Sequence, residues 1–249
     1  MSKLSRLLAA AALGLPAAAH AGPSDYVQTP AVGYGEREID FKMGTWKLRD
    51  EPVRESAASL GFGYGATQWW FTEAYLKYEK ASGIGTHYDA FEWENKFQLT
   101  EPNQYAVDVG LITEIEIPRE RREEGYEFMI GPLFQGDAGP IRWNANLLFE
   151  RVFRGRSDEP RVTGLGYQLQ AKYSLRREID LGVQAFGEMG QWNHWEPASE
   201  QNHRVGPAIF GKVKLGEGRE AIRYNAALLF PASRAAPRNT FRLQAEYEF

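Results

Sequence analysis

The chain has no cysteine among its 249 residues. A secreted domain without cysteine cannot be held by disulfides, so its stability must come from a hydrogen-bonded core or from lipid. A lipid anchor on an N-terminal cysteine is excluded on the same ground. Long apolar runs are missing after residue 21 and mean hydropathy is −0.49, so no transmembrane helix is expected. Histidine is scarce, with only His87, His194 and His203 beyond the first 21 residues. With no ligand-spaced cluster, no metal site is expected and no cofactor is called for. Basic charge is also in deficit. Without Lys3 and Arg6 the 29 basic residues fall to 27, against 33 acidic ones. That balance argues against nucleic acid as a partner.

What is present begins with a targeting segment. Lys3 and Arg6 precede the apolar run Leu7 to Leu15, Pro16 breaks it, and Ala19-His20-Ala21 offers a small-x-small cleavage site before Gly22. Residues 1–21 read as a signal peptide. Residues 22–249 remain as one domain.

The dominant period of that domain is two. Phe91, Trp93 and Phe97 alternate with Glu92, Glu94 and Lys96. Ile141, Trp143, Ala145 and Leu147 alternate with Arg142, Asn144 and Asn146, and Phe241, Leu243, Ala245, Tyr247 and Phe249 alternate with Arg242, Gln244, Glu246 and Glu248. The pattern predicts about twelve strands of roughly ten residues, the length a tilted membrane-spanning strand needs. They fall near 37–48, 57–65, 69–79, 88–99, 104–117, 125–135, 140–151, 162–175, 178–189, 203–215, 221–230 and 240–249. Connections after even-numbered strands look short, as at Thr100 to Asn103, and those after odd-numbered strands longer. That alternation fits a transmembrane barrel and not a soluble sandwich. The expectation is therefore an all-β fold: one antiparallel up-and-down barrel in the bacterial outer membrane.

Internal repetition points the same way. Ile141-Arg142-Trp143-Asn144-Ala145-Asn146-Leu147-Leu148-Phe149 recurs as Ile222-Arg223-Tyr224-Asn225-Ala226-Ala227-Leu228-Leu229-Phe230, each copy following a Gly-Pro pair, Gly131-Pro132 and Gly206-Pro207. Duplication of a hairpin inside one domain accounts for this. Proline is poorly tolerated inside a closed sheet, so Pro132 and Pro207 are expected at a strand end or a bulge near a rim. Gly61-Phe62-Gly63-Tyr64-Gly65 is read as strand and not as a nucleotide loop, since no helix follows it.

Phe249 ends an alternating strand after Tyr247 and Leu243. This resembles the terminal signal by which outer-membrane barrels reach their assembly machinery, which makes that machinery an expected partner. Tyr34 to Asp40 and Phe91-Glu92-Trp93-Glu94-Asn95-Lys96 resemble poorly characterised proteobacterial barrels near the family labelled for the meta-pathway of phenol degradation. That resemblance implies, at most, passage of small compounds, aromatic or otherwise. An outer-membrane phospholipase is a barrel of similar size, but none of the three histidines has a serine at the near spacing of its motif.

The pore-lining candidates are Glu92, Glu94, Lys96, Arg142, Asn144, Arg223, Asn225 and Arg242. They form either a polar ladder that touches a solute or charges that pair across a narrow interior. Alternation puts about fifteen acidic and about nine basic side chains inward, which would attract cations into a hydrated lumen. Trp192, His194 and Trp195 form an unusual loop patch, either a surface on which a ring stacks or an interfacial girdle. Arg119, Arg121, Arg122, Arg151, Arg154, Arg156 and Arg161 crowd the longer loops, and arginine pairs well with the phosphates of lipopolysaccharide. The leading expectation is passage of small solutes without catalysis. The alternatives are an occluded barrel with a structural or surface-binding role and a lipid-modifying enzyme.

Overall fold

A computed structural model describes residues 22–49, 53–81, 85–155, 161–176 and 178–249. The predicted signal peptide, Arg156 and Arg177 lie outside them. Thirteen strands are found there: β1 (Arg37–Lys47), β2 (Arg54–Gly65), β3 (Trp70–Ala81), β4 (His87–Gln98), β5 (Asp108–Pro118), β6 (Tyr126–Ala138), β7 (Ile141–Phe153), β8 (Gly164–Arg176), β9 (Ile179–Gln191), β10 (His194–Trp195), β11 (Asn202–Lys214), β12 (Ala221–Pro231) and β13 (Thr240–Glu248). Each long strand pairs antiparallel with its sequence neighbour, skipping β10, and β1 pairs with β13 from Glu38↔Glu248 to Trp46↔Thr240. The sheet is thus a closed twelve-strand up-and-down barrel, and closure leaves no free edge. The two-residue β10, not expected from the sequence, folds back on the end of β9.

The alternation of residue types sets which face points where. On β1 the even positions Glu38, Asp40 and Lys42 are buried while Ile39 and Phe41 are exposed. Glu92 and Glu94 are buried against exposed Trp93, and Asn144 and Asn146 against exposed Leu147. This is a soluble protein turned inside out. Apolar side chains on the outer face have no reason to stay in water, and the interior carries the charges. The arrangement is that of a barrel wrapped in lipid.

The connections follow the alternation with two exceptions, residues 99–107 and the six-residue β11–β12 connection, which is no shorter than β1–β2 or β3–β4 at the other end. At the end where β1 starts and β13 finishes, β6–β7 and β8–β9 are joined by two residues each, whereas β7–β8 and β9–β11 are separated by ten at the other. Residues 99–107 form a longer connection at the terminus end than expected, because β5 starts at Asp108. Asp108 Oδ1 accepts from the Asn103 amide at 2.8 Å, and Thr100 Oγ1 from the Val109 amide at 2.8 Å. Asn103 takes a φ of 59°. Side chains thus hold a turn where a continuing strand was expected.

The prolines also differ from expectation. Pro132 and Pro207 sit in mid-strand with no bulge, since Ile130↔Phe149 and Leu133↔Asn146 keep one register, as do Val205↔Phe230 and Ala208↔Ala227. The glycine before each proline explains the tolerance. A Cβ on Gly131 would lie 2.0 Å from the Leu147 carbonyl oxygen, and one on Gly206 would lie 2.0 Å from that of Leu228. Leu147 and Leu228 hold the same place in the two repeats. The duplicated hairpins therefore share one close backbone approach.

Candidate functional site

The barrel interior is not empty. Residues 22–36 run back up the lumen from the start of β1, and several side chains of the wall hold them. Near the terminus end, Val32 donates its amide to Gln98 Oε1 at 3.0 Å. At mid-height, Gln28 donates its amide to Gln168 Oε1 at 3.1 Å and its Nε2 to Glu94 Oε2 at 2.7 Å, while Asn146 Nδ2 donates to the Gln28 carbonyl at 3.0 Å. Tyr26 donates its hydroxyl to Glu94 Oε2 at 3.0 Å. Val27 faces the other side and packs with Phe186, Ala208, Phe210, Ala227 and Leu229. The wall leaves room for this segment. A Cβ on Gly44 would fall 1.8 Å from the Pro23 carbonyl oxygen, and one on Gly65, the last residue of the glycine-rich run, 1.8 Å from that of Gly33.

A belt of polar side chains crosses the interior beside the segment. Gln170 donates to Asn144 at 3.2 Å, Gln184 to Gln170 at 2.7 Å, and Arg242 to Gln184 at 2.8 Å and Asn225 at 2.9 Å. Asn225 donates to Gln244 at 2.6 Å, and Gln244 to Asp40 Oδ2 at 2.9 Å. Every residue of the belt thereby keeps at least one partner away from water, although Asp40 Oδ1 and Arg242 Nε have none among the described residues. Lys42 is held differently, with its ammonium 3.4 Å from the Tyr26 ring centroid and 3.6 Å from that of Tyr75, and 3.5 Å from Asp40. Such a seat stabilises a cation by ring quadrupole as well as by charge.

Between the segment and the longer loops lies a chamber of about 720 Å³. Among the described residues, twelve carboxylates line it, against Lys42, Lys77, Arg151 and Arg161. Its wall over β4–β6 sets like charges directly opposite one another. Glu94 pairs in register with Glu114, Glu92 with Glu116, and Glu116 with Glu127. Glu73 continues the first row on β3. Lys77 Nζ is 3.0 Å from Glu92 and also bonds Glu116. At the mouth, burial and the nearby Asp89 and Glu120 hold the Glu124 carboxyl above the usual glutamate range.

The sequence-predicted residues divide between these features. Glu92 and Glu94 line the chamber. Asn144, Asn225 and Arg242 belong to the belt, so they pair across the interior instead of forming an open ladder. Lys96 faces inward 5.1 Å from the Phe71 ring centroid. Arg142 and Arg223 sit at the terminus end, away from the chamber. Arg142 is half exposed and paired with Asp137 at 2.8 Å, and Arg223 bonds Glu248 and lies 3.7 Å from Glu246. Trp192, His194 and Trp195 are exposed on the β10 hairpin and do not line the chamber. Trp192 meets Phe149 edge-on at 6.4 Å, and Trp195 donates to the Trp192 carbonyl at 3.2 Å. The ring nitrogens of His203 are engaged by Tyr167 and Gln201. Phe249 stacks on Tyr247 at 5.5 Å and donates its amide to the Arg37 carbonyl at 2.9 Å. Sequence reasoning missed the lumen segment and did not single out Glu114, Glu116, Glu127 and Glu150 from the other inward carboxylates.

Fold and interior together define a β-barrel of the outer-membrane type. No protein-family model and no curated protein matches the chain. Solved structures do. The chain is similar to the COG4313 outer membrane channel from Pseudomonas putida F1, with a TM-score of 0.62 at 10% identity over 90% of this chain and 99% of that one. It is similar to the NanC porin, with a TM-score of 0.56 at 11% identity over 85% and 100%, and to the KdgM porin solved with disordered oligogalacturonate, with a TM-score of 0.53 at 9% identity over 85% and 99%. At these identities the likeness is one of fold.

Proposed function

We propose that this protein resides in the bacterial outer membrane and passes small cationic solutes through a narrow, partly filled lumen. The observation that carries the reading is the acidic chamber below the longer loops. A pocket whose charged lining is mainly carboxylate concentrates cations and repels anions. The same sign argues against an acidic sugar such as oligogalacturonate as this chain's solute, and against a neutral aromatic compound as the preferred one. Orientation follows from the connections: the start of β1, the end of β13 and the short turns toward the periplasm, the chamber and longer loops toward the outside. Phe249 serves assembly in this reading, and the loop arginines contact the phosphates of lipopolysaccharide. No catalytic role is assigned.

The test is conductance of the refolded protein in planar bilayers. A small cation-selective conductance is expected. The lumen segment and polar belt favour one competing reading, a closed barrel with a structural or surface-binding role. A correctly folded protein that never conducts would overturn the channel and establish that alternative.

A further inference from the structure

We propose that the acidic chamber is a binding site for an organic oligoamine, a flexible chain carrying several ammonium groups. This rests on the channel reading for its access route, but the site is argued from its own chemistry.

Like charges set directly opposite across strands are destabilising. Here they stand in two adjoining rows, Glu73–Glu94–Glu114 and Glu92–Glu116–Glu127. The carboxylate oxygens of Glu92, Glu114 and Glu116 lie within 4.8 Å of one another. Lys77 bridges Glu92 and Glu116, so the conflict that remains lies chiefly in the first row, and local rules are broken in this way mainly at functional sites. Even with Arg204 and Arg242 near Asp25 and Lys96 near Glu94, the four basic side chains of the lining are too few for twelve carboxylates, and the α-ammonium that signal cleavage would leave at Gly22 adds only one more cation.

A second observation is independent of the count. Glu94 is 1% exposed, and its Oε2 takes Tyr26 and Gln28 while its Oε1 has no partner among the described residues. Gln28, 4% exposed, also lines the chamber with an unpartnered Oε1. Both orphan atoms are acceptors, so the ligand must bring donors. Water could bond them but could not offset the charge.

The chain's own lysines indicate which cation fits. The centre of the carboxylate trio is held by an ammonium, Lys77, and a second ammonium, Lys42, sits between two tyrosine rings. A divalent metal would have to displace Lys77 to use the trio. The two rows are one inward step apart, about 6.8 Å along a strand. Amines joined by three or four methylenes span a comparable distance. The chamber volume equals roughly two dozen waters at ~30 Å³ each, enough for an extended chain.

The experiment is calorimetric titration of the detergent-refolded chain 22–249 with spermine, butylamine and Mg²⁺ at low, matched ionic strength. Spermine should bind more tightly than either of the others by roughly tenfold or more. The Glu114→Gln/Glu127→Gln variant, which keeps Glu94, the carboxylate bonded to Tyr26 and Gln28, should weaken spermine by a similar factor. Glu114→Gln alone should give a smaller loss, and it serves if the double variant fails the gel-shift test for folding. Equal affinity for Mg²⁺ would overturn the proposal in favour of a metal site at the rim trio Glu79, His87 and Asp89. Undiminished spermine binding by the folded variants would overturn it as well. Na⁺ conductance without spermine binding sinks this inference and leaves the channel standing. Spermine binding without conductance establishes the site and sinks the channel.

Discussion

One residue along β7 separates a side chain that meets lipid from one that meets the lumen. Leu147 is 43% exposed on the outer face and Asn146 is 1% exposed within. This contrast was legible in the sequence, because a period of two assigns faces without any knowledge of the fold. Its partners were not legible: Asn146 bonds the Gln28 carbonyl and Gln168, and neither contact leaves a local trace. The two neighbours should therefore fail differently. Leu147→Arg places a charge near mid-strand in the bilayer and should cost about 2–4 kcal/mol in refolding titrations. Asn146→Ala removes two hydrogen bonds to the interior and should cost less, roughly 0.5–1.5 kcal/mol for each, while loosening the lumen segment. A larger loss for Asn146→Ala than for Leu147→Arg would mean that the outer face of β7 does not meet lipid.

At the level of elements, the long strands were legible to within a few residues because each carries its own alternation. Two elements were not. β10 is two residues long and has no periodicity to detect. The segment 22–36 has no repeat either, and its mixture of glycine, proline and small polar residues reads as a linker. Its structure comes from residues far along the chain, Gln98, Glu94, Asn146 and Gln168. The wall glycines carried a signal that could be read only afterwards: Gly44 and Gly65 face inward where any side chain would strike the segment. Removal of residues 22–32 should raise single-channel conductance severalfold without abolishing assembly, because the wall hydrogen bonds close without them. Gly44→Leu should move conductance the same way through steric expulsion of Pro23. Unchanged conductance in both folded variants would show that ions travel past the segment and not through the space it fills.

For the whole molecule, the balance of charge decides more than any one side chain. The sequence revealed an excess of inward acid but not its distribution, since residues from β3 to β9 meet in one chamber only when the barrel closes. The chamber's twelve carboxylates lie toward the loops, Glu36, Glu246 and Glu248 form a smaller group at the terminus end, and the belt at mid-height is mostly amides and one arginine. Selection should therefore occur at the outer mouth. Cation preference, measured by reversal potential across a salt gradient, should be strongest at low salt. It should fade toward 1 M, where the Debye length is about 3 Å. Acidification should weaken it too. Glu124 at the mouth is held above the usual glutamate range. As pH falls, it takes its proton and loses its charge before an ordinary surface glutamate does. The early part of the decline should thus be smaller in Glu124→Gln than in the parent, because the variant lacks that one contribution. Anion preference at low salt would locate control elsewhere, in the loop arginines Arg119, Arg121 and Arg122, which stand just above the chamber. A preference independent of salt would point instead to the narrow passage beside the lumen segment, where size and not charge would sort the ions.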